Sequence, residues 1–249
     1  MTDPHPRSRV EFLDPHRLRL AESRTPWVSP AEVRAVDRLW EETVARRPHH
    51  FDGPLVACLR LERQERGLLL SWARSTYRYR ALRRIRAAGE RVPSSVFVTV
   101  LQPTRTGELV VGRGSASTAA PGRWQLPGGS AEPPPEGEPL DLDLLRRHAA
   151  RELAEETGVE APPGELSLWG VTRGARGNIG FHFLAAQRPA PLLRARFAAA
   201  AASERAAGRE PELDRIALVR AGAGPAELGG PCVDYLDAVL RRHARREAT

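Results

Sequence analysis

Nine residues, Arg151 to Val159, constrain this chain more than any other stretch. The run RELAEETGV sets Glu152, Glu155 and Glu156 at i, i+3 and i+4, a spacing that puts three carboxylates on one helical face. Like charges that close destabilise a helix unless something offsets them. A solvated surface helix would intersperse basic partners among its acids, and this face has none. A divalent cation would offset the charge, and hard oxygen ligands suit magnesium or manganese. Gly158 then stands where helices commonly stop in the left-handed conformation.

The residues upstream extend the pattern. Trp124, Gln125, Leu126, Pro127, Gly128 and Gly129 read as a short strand running into a tight glycine turn. A charged, proline-rich loop follows from Ser130 to Pro139. A helix is expected from about Leu140, with Asp141 and Asp143 in its first turn and Leu142, Leu145, Ala149 and Leu153 on its apolar face. Strand, diglycine turn, acidic loop and acid-bearing helix together resemble the Nudix box, G-x5-E-x7-R-E-U-x-E-E-x-G-U with U aliphatic. Arg151, Glu152, Leu153, Glu155, Glu156, Gly158 and Val159 agree with its second half, and Gly129 with its opening glycine. Glu138 is the candidate for the first box glutamate, with Glu132 as a rival for a supporting acidic role. The first half is stretched: eight residues separate Gly129 from Glu138, and twelve separate Glu138 from Arg151. Both intervals read as loop insertions, because the proline-rich run EPPPEGEP cannot be helical and added loop length is tolerated cheaply.

Composition narrows the class. At 249 residues the chain holds one large domain or two small ones. No apolar run is long enough to span a bilayer, and the first residues lack the apolar core of a signal peptide. Cys58 and Cys232 are too few for a disulfide framework or a zinc site, so a reduced, cytoplasmic setting is expected. The net charge of +7 invites a nucleic-acid reading. All 38 basic residues are arginine, however, in a chain rich in alanine, glycine and proline, which suggests compositional bias. The arginines are scattered apart from the Tyr77 to Arg86 stretch and the C-terminus, so nucleic acid is disfavoured as a partner. No membrane partner is expected, and oligomeric state is left open.

The chain divides into a small α+β front module, residues 1–91, and a body, residues 92–249. In the front, residues up to about Leu20 read as irregular. Ser29 and Pro30 start a helix to Arg47, strands follow at Leu55 to Leu61 and Leu68 to Ala73, and a second helix runs from Thr76 to Ala88. In the body, Val96 to Leu101 and Glu108 to Gly112 read as a strand pair, and Leu166 to Thr172 and Ile179 to Ala185 as strands flanking the glycine-rich loop Gly174 to Gly177. A helix or ordered insertion over Pro191 to Ala207, a strand at Ile216 to Val219 and a helix from Val233 to Arg246 complete it. The pattern by itself gives α/β or α+β. The resemblance implies the Nudix-type α/β/α sandwich with a mixed sheet.

A second resemblance lies in the front module. Leu39-Trp40-Glu41, Arg47-Pro48-His49-His50-Phe51-Asp52-Gly53 and Ser75-Thr76-Tyr77-Arg78 occur in that order. They are similar to the segment before the box in a Nudix subgroup that cleaves UDP-glucose and UDP-galactose. The competing account is packing, since Trp40, Phe51 and Tyr77 are residue types more often found in cores.

The two resemblances imply a magnesium-dependent (or manganese-dependent) pyrophosphohydrolase acting on a small nucleotide, a UDP-hexose giving UMP and hexose 1-phosphate. They imply Glu152, Glu155 and Glu156 as metal ligands, with Arg151 holding a box carboxylate, Glu152 or Glu138. Glu212 is the candidate general base, with Glu210 and Asp214 as rivals. Arg113, Arg173 and Arg176 are candidate phosphate contacts. His182, alternating with Phe181 and Phe183, reads as a packed histidine. Hydrolysis of ADP-ribose or a nucleoside triphosphate is an alternative, as is a non-catalytic nucleotide-binding module of the same fold.

Overall fold

The computed structural model describes residues 10–23, 27–46, 51–118, 120–220 and 225–247. Ten strands and five helices alternate along it. In the front are β1 (Glu11–Leu13), β2 (Leu18–Glu22), α1 (Pro30–Arg46), β3 (Pro54–Gln64), β4 (Gly67–Thr76) and the short α2 (Leu82–Ile85). The body contains β5 (Ser94–Leu101), β6 (Leu109–Gly114), β7 (Trp124–Gln125), α3 (Leu142–Thr157), β8 (Ser167–Arg173), β9 (Ile179–Leu184), α4 (Ala190–Ala206), β10 (Leu213–Val219) and α5 (Leu236–Glu247). Seven strands form one mixed sheet in the order β1-β8-β9-β5-β3-β4-β2, and β10-β6-β7 form a second. The β5–β9 and β2–β4 pairs are parallel; the other ladders are antiparallel.

The period-2 alternation of β5 sorts side chains to two cores. Val96, Val98 and Val100 join the cluster that holds Leu145, Ala149 and Leu153 of α3. Phe97 and Leu101 join the other, with Leu236, Val239 and Leu240 of α5. Helices thus cover both faces, as the expected α/β/α sandwich requires. The α3 core also takes Val56 of β3 and Leu68, Leu70 and Trp72 of β4. The front strands therefore share the body's sheet and its main core.

The N-terminal residues differ from expectation: those read as irregular form β1 and β2, which pair with β8 and β4 at opposite edges of the seven-stranded sheet. A flat sheet would separate those edges by roughly 29 Å, six spacings of ~4.8 Å. The short link from Leu13 to Leu18 reaches only ~17 Å. The sheet must curl until its edges approach, and Arg63 of β3 does meet Glu11 of β1 at 3.0 Å. Local pattern misses such short strands because their partners are distant in sequence.

Ser29 and Glu32 cap α1 reciprocally: the Ser29 N–H donates to the Glu32 carboxylate at 2.7 Å, and the Glu32 N–H to Ser29 Oγ at 3.3 Å. The helix expected over Thr76 to Ala88 is shorter, a 3-10 turn at Tyr77–Ala81 followed by α2. Strands β5 and β6 are joined by a bridge at Pro103 and Leu109 and then diverge into different sheets. Among the described residues no helix is long and apolar enough to cross a membrane. In the front signature, Arg47 to His50 lie outside the described residues.

Candidate active site

The diglycine turn is laid along β5. The Val98 N–H donates to the Gly129 carbonyl at 2.9 Å, the Val100 N–H to that of Pro127 at 2.8 Å, and the Ala131 N–H to that of Val96 at 2.9 Å. Only glycine fits this approach at position 128. At Gly128 φ is +148°, and a Cβ would stand 2.1 Å from the Val98 carbonyl oxygen. A Cβ at Gly129 would stand 2.5 Å from the Glu152 carboxylate. The turn and the acid-bearing helix are therefore in direct contact.

Helix α3 starts at an Asp141 cap, whose carboxylate accepts from the Leu144 N–H at 2.8 Å. It ends at Gly158, with φ +68° and an N–H donated to the Ala154 carbonyl. Between these ends the helix presents Glu152 half-buried, Glu155 exposed and Glu156 buried. Glu156 accepts from the Gly128 N–H at 2.7 Å. Glu212 reaches the same place from the loop before β10. Carboxylate oxygens of Glu152, Glu156 and Glu212 all lie within 4.8 Å of one another. Glu155 stands just outside that triplet, yet its charge acts on all three members.

The electrostatics are those of acids held together with little counter-charge, Arg151 at 3.9 Å from Glu152 being a partial offset. Burial first, then Glu212 and Glu155, push the Glu152 carboxyl up to about 7. Burial pushes Glu156 well above the carboxylate range, with Glu152 and Glu212 adding and the Gly128 N–H opposing. Glu212 is exposed by surface area but crowded by neighbouring atoms at its carboxylate, and that crowding with Glu155 raises it too. Three such oxygens, one set at the cleft wall and one buried, fit a hard divalent cation.

A β-bulge sets Glu212. The register of β10 against β6 shifts between Leu213 and Arg215, so Asp214 is extra. Its carboxylate takes the Arg113 guanidinium in two bonds of 2.9 and 2.8 Å. The Glu212 carbonyl accepts from the Ser115 N–H at 2.8 Å. Asp214 is thereby occupied, Glu210 is exposed outside the triplet, and Glu212 alone of the three joins the helix acids.

Arg151 donates to Glu132 at 2.6 Å and lies 3.9 Å from Glu152. Its carboxylate partner is thus Glu132, and Glu138 sits exposed in the proline-rich loop, where its N–H closes a turn onto the Pro135 carbonyl. The Glu132 N–H in turn donates to His148 Nδ1 at 3.3 Å. The inserted prolines end on Arg74, which donates to the carbonyls of Pro134 and Pro135.

A cleft of about 300 Å³ opens beside the triplet, lined by Gly128, Gly129, Glu156 and Glu212 together with Arg80, Phe97, Asn178, Asp234 and Tyr235. No family model matches the chain, and no curated protein matches it. Solved structures to which it is similar include the MutT protein from Methanosarcina mazei Go1, at 21% identity and TM-score 0.41, over 63% of this chain and 96% of that one. A NUDIX hydrolase from Nitrosomonas europaea is similar at 15% identity and TM-score 0.40, over 62% and 90%. A bifunctional NMN adenylyltransferase/ADP ribose pyrophosphatase from Francisella tularensis, complexed with AMP and a manganese ion, is similar at 16% identity and TM-score 0.40, over 69% of this chain but 46% of that protein.

None of the three arginines proposed for phosphate contact is among the cleft residues. Arg113 is paired with Asp214. Arg173 lines a separate hollow with Cys58 and Arg91. The Arg176 carbonyl accepts from Arg83 and Ser94, which ties down the glycine-rich loop. Arg80, which does line the cleft, was concealed by the run YRYRALRRIR, in which no single arginine stands out. Phe97 and Tyr235 read as ordinary apolar positions and carry no sequence signal for a site. His182 is buried, hydrogen-bonded between Thr99 Oγ1 at 2.7 Å and Thr172 Oγ1 at 2.8 Å, and burial lowers it to about 3. It is a neutral packing residue.

Proposed function

We propose that this protein is a Nudix-type pyrophosphohydrolase that uses magnesium or manganese to split the phosphoanhydride of a nucleoside diphosphate derivative, with a nucleotide sugar as the favoured substrate. The observation that carries the reading is the Glu152, Glu156 and Glu212 triplet beside an open cleft. Glu152 and Glu156 would hold the cation from α3, with Glu155 adding charge on the same face. When bound, a divalent cation neutralises phosphate charge and lowers the pKa of an attacking water. Glu212 is the member that comes from outside the helix and faces solvent, so we assign it the proton of that water. Arg151 keeps Glu132 and, at longer range, Glu152 in place. The glycine turn keeps β-carbons away from the Glu152 carboxylate and holds Glu156 by a backbone N–H.

The sugar assignment is supported by the front signature, and the setting we propose is cytoplasmic, consistent with two free cysteines. Incubation of purified protein with magnesium and a panel of UDP-sugars, ADP-ribose and nucleoside triphosphates tests both levels. Release of UMP and sugar 1-phosphate is the expected result. Turnover of ADP-ribose or a triphosphate alone would remove the sugar assignment and keep the enzyme. Inertness on every member would favour a nucleotide-binding module.

A further inference from the structure

The cleft has a charge problem that its glutamates and their cation leave unsolved. Besides Glu156 and Glu212 it is lined by Asp234, and Arg80 is the one cation among the described residues that line it. A diphosphate carries negative charge on both phosphorus centres, and the cleft adds its own acids, so a cation besides any metal the glutamates would hold is called for. Arg80 comes from the 3-10 turn Tyr77–Ala81 of the front module, not from the body that supplies the acids.

Three other arginines of the same run are occupied. Arg78 pairs with Asp37 at 3.0 Å and Asp52 at 3.2 Å, Arg86 pairs with Glu32 at 2.7 Å, and Arg83 donates to Asn178 and to the Arg176 carbonyl. Arg80 has no carboxylate partner among the described residues. Its guanidinium lies over the Tyr77 ring, 5.0 Å from the centroid, which orients the group while leaving its donors available.

The turn that carries it is clamped. Asp52 accepts from the Arg78 N–H at 2.7 Å and from Thr76 Oγ1 at 3.0 Å. The Tyr77 N–H donates to the Gly53 carbonyl at 3.0 Å, and Trp40 meets Tyr77 edge-on at 6.2 Å. Of the signature residues described, Trp40, Asp52, Gly53, Thr76, Tyr77 and Arg78 therefore hold the turn, while Phe51 is 80% exposed.

We propose that Arg80 is the anion-binding residue of the cleft, holding a phosphate of the substrate, and that Asp52 acts as a positioning residue that aims it. This rests on the pyrophosphohydrolase reading. The front signature would then matter by placing a cation, which ties the front module to substrate binding.

Arg80 is exposed, so its replacement spares the core. The test compares wild type, R80Q, R80K, D52N and the D52N/R80Q double variant. It measures calorimetric binding of α,β-methylene-UDP and α,β-methylene-ADP with magnesium, kcat and KM on the best diphosphate substrate, and the magnesium-induced shift in melting temperature. R80Q is expected to weaken analogue binding and raise KM by about ten- to a hundredfold, the loss typical of a charged hydrogen bond. Its kcat should stay within a few-fold and its magnesium shift should be unchanged. R80K should recover part of the loss. D52N should raise KM alone but add nothing in the R80Q background, whereas a merely structural role would add in both. Equal analogue affinity in wild type and R80Q overturns the Arg80 assignment and leaves the enzyme reading standing. A wild type that cuts no diphosphate and binds neither analogue overturns both.

Discussion

The Glu156 carboxylate is buried against three other acids and has one N–H, that of Gly128, as its hydrogen-bond partner. Glu156→Gln keeps the shape and removes the charge. It should lower turnover by on the order of 100-fold or more and abolish the magnesium-induced rise in melting temperature. Without metal the variant should melt no lower than wild type, because burial already disfavours the charged carboxylate that the amide replaces. Activity assays and melts with and without magnesium check both. A second acid behaves oppositely. Hydrogen bonding to Arg86 and to the Ser29 N–H lowers Glu32 from 4.5 to about 2. A lowered carboxyl stabilises the fold above its unfolded pKa and loses that contribution as pH falls through the folded one. The pair should therefore contribute about 1 kcal/mol at pH 5 and above, after discounting for solvent screening. That contribution should fade between pH 4.5 and 2. Denaturant melts of wild type and Glu32→Gln should differ at pH 6 and converge near pH 2; a constant difference would refute the link. The helix acids were legible in sequence because i, i+3, i+4 spacing is local. The partner of Arg151 was not, since Glu132 and Glu138 precede it by 19 and 13 residues and only the folding of the loop between them decides which one it meets.

At the scale of elements, the site depends on how closely the diglycine turn lies against β5 and α3. Gly128→Ala would place its Cβ against the Val98 carbonyl and at an unfavourable φ, so it should destabilise the protein by about 2–3 kcal/mol. Gly129→Ala meets a side chain that can move aside, the Glu152 carboxylate. Its melting temperature should change little, while activity and the magnesium shift fall sharply. Comparing melts and turnover of the two variants separates backbone clash from site disruption; similar profiles would contradict the distinction. Element types were largely readable from periodicity and capping, as α1, α3 and the β8–β9 pair illustrate. The exceptions have a common cause. Strands β1 and β2 exist only through distant partners, and β6 leaves β5 because β10, about a hundred residues later, pairs with it instead.

Across the whole molecule, the front strands complete the sheet and the α3 core, with Val56, Leu70 and Trp72 packed in the same cluster as Leu145 and Leu153. A fragment of residues 92–249 would expose that apolar surface and leave β5 without its β3 neighbour. It should show no cooperative thermal transition by circular dichroism. A fragment that melts cooperatively and responds to magnesium would instead make the border after residue 91 a true folding boundary. The amino-acid sequence by itself determined the acid face of α3, its glycine stop and the diglycine turn before it, because each is settled by spacing within a few turns of chain. Only the tertiary structure decided which acid from outside the helix joins the triplet, which carboxylate Arg151 meets, and which of many arginines reaches the cleft. Those choices depend on a bulge, a folded loop and a curled sheet that bring together residues far apart in the chain, and local pattern carries no record of such distances.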